Sequence, residues 1–363
     1  MTSIVLARTD VIVGVDTHKD QHVAVIVDGL GGRLADLSVP ATNQGYAQLL
    51  TWGATHGRVA AYGVEGTGSY GVGLARFLRR HGHTVIEVSR PARQAERRAA
   101  GKSDDIDAEH AARQVLAGTA TVTPKTADGD IETLRLVKVA RDTAVKAHSQ
   151  AMITLKATLV TANDELRASL EPLTDFKLIT ACAALEPATD LCDPDAAMRH
   201  VLGALARRWL VLHAEIKIHS HHLKQRTKAA APALVAAFGI GPDIAAELLV
   251  AAGDNTNRIR SEAALAKLCG ACPIPASSGK TNRHRLNRGG NRQANAALYR
   301  AVIVRLRWHQ PTIDYVTRRT AQGLSKREII RCLKRYLVRE VYHLLPPPAA
   351  DSDTPAQLPR PAA

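Results

Sequence analysis

From residue 11 the chain runs through short apolar stretches broken by polar ones: VIVGVD, then HVAVIVDG, the turn LGG, and RLADLSVP. Three β-rich runs joined by Gly-rich turns predict a small antiparallel meander. Residues 43–57 carry a helical pattern. VAAYGVEG (59–66) reads as a buried strand, SYGVGLARFLRRHG (69–82) as a helix closed by Gly82, and HTVIEVS (83–89) as a further strand. Hairpin strands followed by alternating helix and strand predict a mixed α/β domain with a central sheet, on which catalytic residues usually sit at strand ends.

From about residue 130 long helical patterns replace strands. Met152, Leu155, Leu159, Ala162 and Leu166 recur at spacings of 3, 4, 3, 4, which predicts a helix packed lengthwise on a partner, either in a coiled coil or in a bundle within the chain. The run EPATDLCDPD (186–195) breaks the helices, and 198–230 resumes them. A third region, basic and helical, extends from Pro232 to about 345. The tail PPPAADSDTPAQLPRPAA lacks large apolar residues and is expected to be disordered. The predicted domains are therefore 10–125 (α/β), 126–231 (helical, coiled-coil-like), 232–345 (basic, mostly helical) and the tail 346–363.

With 45% hydrophobic and 23% charged residues, the 363-residue chain has the composition of a globular protein of two or three domains. Aromatics at 4% argue against nucleic-acid binding by rows of stacked rings. No stretch reaches the roughly 18 apolar residues of a membrane span, and MTSIVLARTD meets charge too early for a signal peptide, so a soluble cytoplasmic protein is expected. Five scattered cysteines suggest reduced thiols. Charge changes the picture most. The chain carries +14, and residues 258–340 hold 19 Lys+Arg against 4 Asp+Glu, leaving 29 against 30 elsewhere. A basic block beside a neutral remainder points to a polyanion, and nucleic acid fits best.

Four carboxylates stand out in the α/β region. Asp16 ends the first apolar strand, Glu65 ends the strand VAAYGVEG, and Asp104 and Asp107, three apart at a helix start in KSDDIDAEHAA, project from one face. Asp105 points about 100° away from Asp104 on a helix. Converging hard oxygen ligands would suit magnesium, and paired ions stabilise the attacking and leaving oxygens of a phosphodiester reaction. In the basic region, FGIGPDIAAELLVAAGD (238–254) resembles a helix-hairpin-helix element, whose helix N-terminus can meet phosphate. Downstream, Ser277 and Ser278 precede Gly279, with Lys280, Arg283, Arg285, Arg288 and Arg292 around them. A serine hydroxyl needs its proton removed or its target polarised, and clustered Arg can neutralise a phosphate under attack. The lone pair Cys269 and Cys272 lacks a second pair for zinc and reads as small buried apolar residues. His219, His221 and His222 read as solvated. In KREIIRCLKRYL, the residues Lys326, Arg327, Arg331, Lys334 and Arg335 form an expected basic outer face opposite Ile329, Ile330, Leu333 and Leu337.

The pieces GVDTHKD, GVEGTGSYG, KSDDIDA, GIGPxxA, GD with a following Arg-rich helix, PxxxSSG and RGGN resemble, in this order, the insertion sequence 110 family of transposases over about residues 10–345. The resemblance implies a ribonuclease-H-type domain like the Holliday-junction resolvase RuvC, a helical coiled-coil middle and a C-terminal serine domain. It implies a DNA recombinase without a DDE site, guided by a noncoding bridge RNA to target and donor DNA. The family's DEDD acids correspond to Asp16, Glu65, Asp104 and Asp107, holding Mg2+. The serine before glycine corresponds to Ser278, the nucleophile that links covalently to DNA. It further implies a homo-oligomer in which one protomer gives Ser278 and another the acids. The rival expectations are a metal-dependent structure-specific nuclease using water as nucleophile, and a non-enzymatic nucleic-acid-binding protein.

Overall fold

The computed structural model describes residues 9–89, 103–186, 191, 193–278 and 284–347. The elements in order are β1 Asp10–Thr17, β2 Gln21–Asp28, β3 Arg33–Pro40, α1 Asn43–Thr55, β4 Arg58–Glu65, α2 Val72–Arg80, β5 Val85–Val88, α3 Asp104–Leu116, α4 Asp130–Leu159, α5 Asp164–Leu170, α6 Asp175–Ala183, α7 Pro194–Ala230, α8 Pro232–Ala236, α9 Pro242–Ala252, α10 Glu262–Leu268, β6 Ile274–Pro275, β7 His284–Arg285, α11 Arg292–Trp308, α12 Gln310–Ala321 and α13 Lys326–Leu344. They form two compact units. The first comprises residues 9–129, Ala252–Leu265 and 346–347, and the second Asp130–Ala251, Ala266–Leu345, among the described residues.

The first unit is built on a five-stranded sheet in the order β3-β2-β1-β4-β5. β1, β2 and β3 form the expected antiparallel meander, and β4 and β5 add in parallel beside β1. This mixed sheet, with helices on both faces, is a ribonuclease-H-like fold. Both faces of β1 are apolar, as a central strand covered on two sides requires. Val11, Val13 and Val15 join Tyr46, Leu49, Leu74 and Leu78 of α1 and α2. On the other face Ile12 joins Ala108, Ala111, Ala112 and Val115 of α3. The segment Ala252–Leu265, far along the sequence, also belongs to this unit. Asn255 clamps it to the stretch after α3, its Nδ2 donating to the Pro124 carbonyl (2.9 Å) and its Oδ1 accepting from the Thr126 amide (3.2 Å).

In the second unit α4 and α7 lie side by side and antiparallel: Asp130 pairs with Arg226, Arg141 donates to Ser220, and His148 packs on Trp209. The 3,4 spacing from Met152 to Leu166 does not run along one helix. α4 stops at Leu159, and Asn163 caps a new helix by accepting from the Leu166 amide. Leu155, Leu159, Ala162 and Leu166 are nevertheless buried together with Leu202, Ala206 and Trp209 of α7, so the pattern marked the buried face and missed the bend. α9 is tied to the same pair: Lys138 Nζ of α4 lies 3.1 Å from Asp243 and 3.0 Å from Glu247. Burial alone would raise the Asp243 carboxyl, but Lys138, Arg300 and Arg141 hold it below its ordinary value. Among the described residues no helix is long and apolar enough to cross a membrane. The tail beyond residue 347 lies outside the described residues.

Candidate active site

Strand parity decides which side chains share a site. Side chains alternate between the faces of a sheet, and Ile12 and Ala61 pack beneath α3 while Val13, Val15, Tyr62 and Val64 pack on the opposite face. Asp16 and Glu65 therefore fall on the face that α3 covers. They sit at the C-terminal ends of adjacent parallel strands, one step beyond the pair Val15 and Val64. The Thr17 hydroxyl donates to the Glu65 carbonyl at 2.9 Å and pins the two strand ends together. Both carboxylate residues are buried.

Two glycines bring the remaining acids to this place. A Cβ on Gly14 would overlap the Ala108 carbonyl and the Ala112 nitrogen, and one on Gly63 would lie 2.7 Å from Val115 and 2.9 Å from the Ala111 carbonyl. α3 thus rests directly on the backbone of β1 and β4, which sets its first turn, with Asp104 and Asp107, beside the end of β1. Asp105 turns away and pairs with Arg33 at 3.0 Å, so it belongs to the surface.

His18, two residues past Asp16, stands between the acids. Its Nε2 lies 3.1 Å from Asp16 Oδ2 and 3.4 Å from Asp104 Oδ1. Burial raises the Asp16 carboxyl above its ordinary value; His18 opposes the rise, and Asp107 and then Asp104 add to it. Asp104 and Asp107 are therefore both close enough to Asp16 to repel its charge. A buried carboxylate with two half-buried ones beside it gathers excess negative charge that a divalent cation relieves, so these donors fit such an ion. Sequence reasoning missed His18, although its place two residues after a strand-end acid was a usable signal.

The other candidates belong to the second unit. Ser277 and Ser278 follow β6 and are exposed, while Gly279, Lys280 and Arg283 lie outside the described residues. Arg285 lies on β7, and Arg288 and Arg292 are exposed before and at the start of α11. The base of this loop is tightly built. Gly290 has a positive φ of 84°, and a Cβ there would lie 2.6–2.8 Å from backbone atoms of Lys267, Leu268 and Gly270. The Asn291 amide donates to the Leu268 carbonyl at 2.6 Å. Asn295 Nδ2 donates to the carbonyls of Cys269 and Gly270. Lys334, expected on the basic outer face of α13, is instead buried and donates to Asn295 Oδ1 at 2.9 Å. Desolvation, with Arg331 adding, lowers its pKa. Cys269 is buried, which pushes its thiol up to about 12, and Cys272 is half-buried and accepts from Asn287. His221 and His222 are exposed, and His219 is half-buried beside Glu215.

A family model described as Transposase, for the DEDD transposases of IS110 elements, matches residues 13–163, and one described as Transposase IS116/IS110/IS902 family matches 231–317. The chain belongs to the IS110 family of transposases. No curated protein matches it. The first match spans the sheet, α3 and α4; the second spans α8 to α12, including the loop with Ser277 and Ser278. The IS110 transposase is thus an enzyme of DNA recombination with DNA as its substrate. Its DEDD domain implies dependence on a divalent metal, in agreement with the grouping of Asp16, His18 and Asp104.

Proposed function

We propose that this transposase cuts and rejoins DNA through Ser278, with Asp16, Glu65, Asp104 and Asp107 holding Mg2+ and a noncoding bridge RNA selecting target and donor DNA. The observation that carries the reading is the seating of the first turn of α3 against the end of β1, which gathers Asp16, Asp104 and Asp107. Magnesium held there would offset charge on the scissile phosphate and the departing oxygen. The Ser278 hydroxyl attacks phosphorus, the serine Oγ–P bond forms as the P–O bond to one sugar breaks, and the hydroxyl proton is passed on to the leaving oxygen. The reverse exchange with a second DNA end rejoins the strand and frees the serine. Lys280, Arg283, Arg285, Arg288 and Arg292 bind phosphates around the serine. Bridge RNA guidance and a shared site between protomers rest on the family resemblance.

A metal-dependent nuclease with water as nucleophile is the second reading, favoured by the acids forming their group within the first unit alone. Denaturing gels separate the two. The transposase incubated with its RNA, DNA and Mg2+ is expected to yield a covalent protein–DNA adduct that Ser278→Ala abolishes. Cleavage without any adduct supports the nuclease, and an adduct surviving in Ser278→Ala moves the nucleophile to Ser277 or another group.

A further inference from the structure

The acids of this site have a nitrogen among them that the four-carboxylate reading does not use. His18 Nε2 is within 3.1 Å of Asp16 Oδ2 and 3.4 Å of Asp104 Oδ1, and the atom itself is buried. The His18 backbone is fixed in the β1–β2 turn, where its amide donates to the Gln21 carbonyl at 3.1 Å. The three ligand atoms all lie within 4.8 Å of one another. An octahedral ion with bonds of about 2.1 Å sets neighbouring ligands about 3.0 Å apart. Both measured separations, each from the His18 nitrogen to a carboxylate oxygen, are near that edge length, so the nitrogen stands at the spacing of a ligand adjacent to either oxygen around one cation.

We infer that His18 is a direct ligand of the cation at this site, so that a mixed nitrogen and oxygen set, rather than four carboxylates alone, receives the ion. The inference rests on the proposed metal site and deepens it. Its chemical consequence concerns selectivity. Mg2+ binds carboxylate and water oxygens and gains little from imidazole, whereas Mn2+ accepts both, and later transition ions favour imidazole more strongly. The site therefore binds Mn2+ more tightly than Mg2+, and the difference depends on His18.

The test uses the full chain and Mn2+ alone. Titration followed by electron paramagnetic resonance gives the affinity, and electron spin echo modulation reports whether a 14N nucleus is coupled to the bound ion. Wild type is expected to show 14N coupling, which changes to 15N coupling in protein grown with 15N-histidine. His18→Gln keeps a polar group of similar reach; it should lose the coupling and bind Mn2+ about 10-fold or more weakly, since even outer partners of metal ligands are worth about 10–100-fold. Its Mg2+ affinity should change less. The wild-type spectrum needs no variant to fold, so it tests the inference by itself. If Mn2+ binds, weakens with Asp16→Asn, and shows no 14N coupling, His18 is only an ion-pair partner and the inference is overturned while the metal site stands. If Asp16→Asn leaves Mn2+ binding unchanged, the metal site itself fails and the inference falls with it.

Discussion

The smallest side chain in the first unit decides where the largest charges go. Gly14 is the only residue type that lets Ala108 and Ala112 touch the backbone of β1, and without that contact the first turn of α3 moves away from Asp16. Gly14→Ala must therefore shift α3 or strain the sheet, at about 1–3 kcal/mol for overpacking a filled core. Urea unfolding should show that loss, together with reduced DNA cleavage. Stability and cleavage both unchanged would mean that the helix tolerates displacement. Asp16 has the opposite economy. Its carboxyl is raised by burial, with Asp107 and Asp104 adding, so between the unfolded value near 3.9 and the higher folded value the native state binds more protons. Stability without metal should fall as pH rises through that window and stay reduced above it. Asp16→Asn should raise the metal-free melting temperature at neutral pH while abolishing cleavage, and the gain should vanish below pH ~3. A melting temperature lowered by Asp16→Asn would show that the charge is already compensated in the metal-free protein. The reason His18 was hard to read in sequence is the same local geometry: a turn, not a strand, carries it, and parity says nothing about where a turn residue points.

At the scale of elements, every strand of the N-terminal sheet was legible because each is a short apolar run or, in β3, an alternating one, bounded by turn residues, and β1 and β4 are covered on both faces. The break at 160–163 was not legible, because Leu155, Leu159, Ala162 and Leu166 stay on one buried face across the bend. Lys334 misled for a related reason. Helical spacing puts it beside basic neighbours, but its partner Asn295 comes from another helix, which no local pattern records. The basic β6–β7 region carries a prediction of its own. If Arg285, Arg288 and Arg292 contact phosphates, log affinity for duplex DNA should fall with log salt at roughly −0.9 per contact, and replacing the three with Gln should flatten the slope by up to about 2.7. A slope unchanged in the triple variant would place the phosphate contacts on other cations, with the exposed residues of α13 the next to examine.

At the scale of the whole molecule, the two units divide the candidate chemistry. Asp16, Glu65, Asp104 and Asp107 belong to the first, Ser278 to the second. The chain passes between them more than once, since Ala252–Leu265 rejoins the first unit and is held there by Asn255. That return was invisible in the sequence, where 238–254 reads as one local motif and its partners at Pro124 and Thr126 lie more than a hundred residues away. The order of motifs was enough to identify the family. It carries no information on whether the acids and the serine meet at one phosphate, because residues of two separate units meet only through the folded protein and its assembly, not through local pattern.

The central claim is that one strand exchange needs both Ser278 and the acids, contributed by different protomers. Mixing Ser278→Ala protein with Asp16→Ala protein, each inactive alone, tests it most directly when strand cleavage is read with RNA, DNA and Mg2+ present. The mixture is expected to recover part of wild-type cleavage, because some mixed assemblies hold one site with an intact serine and an intact set of acids. A mixture that stays inactive, while both variants assemble and bind nucleic acid normally, would contradict the shared site.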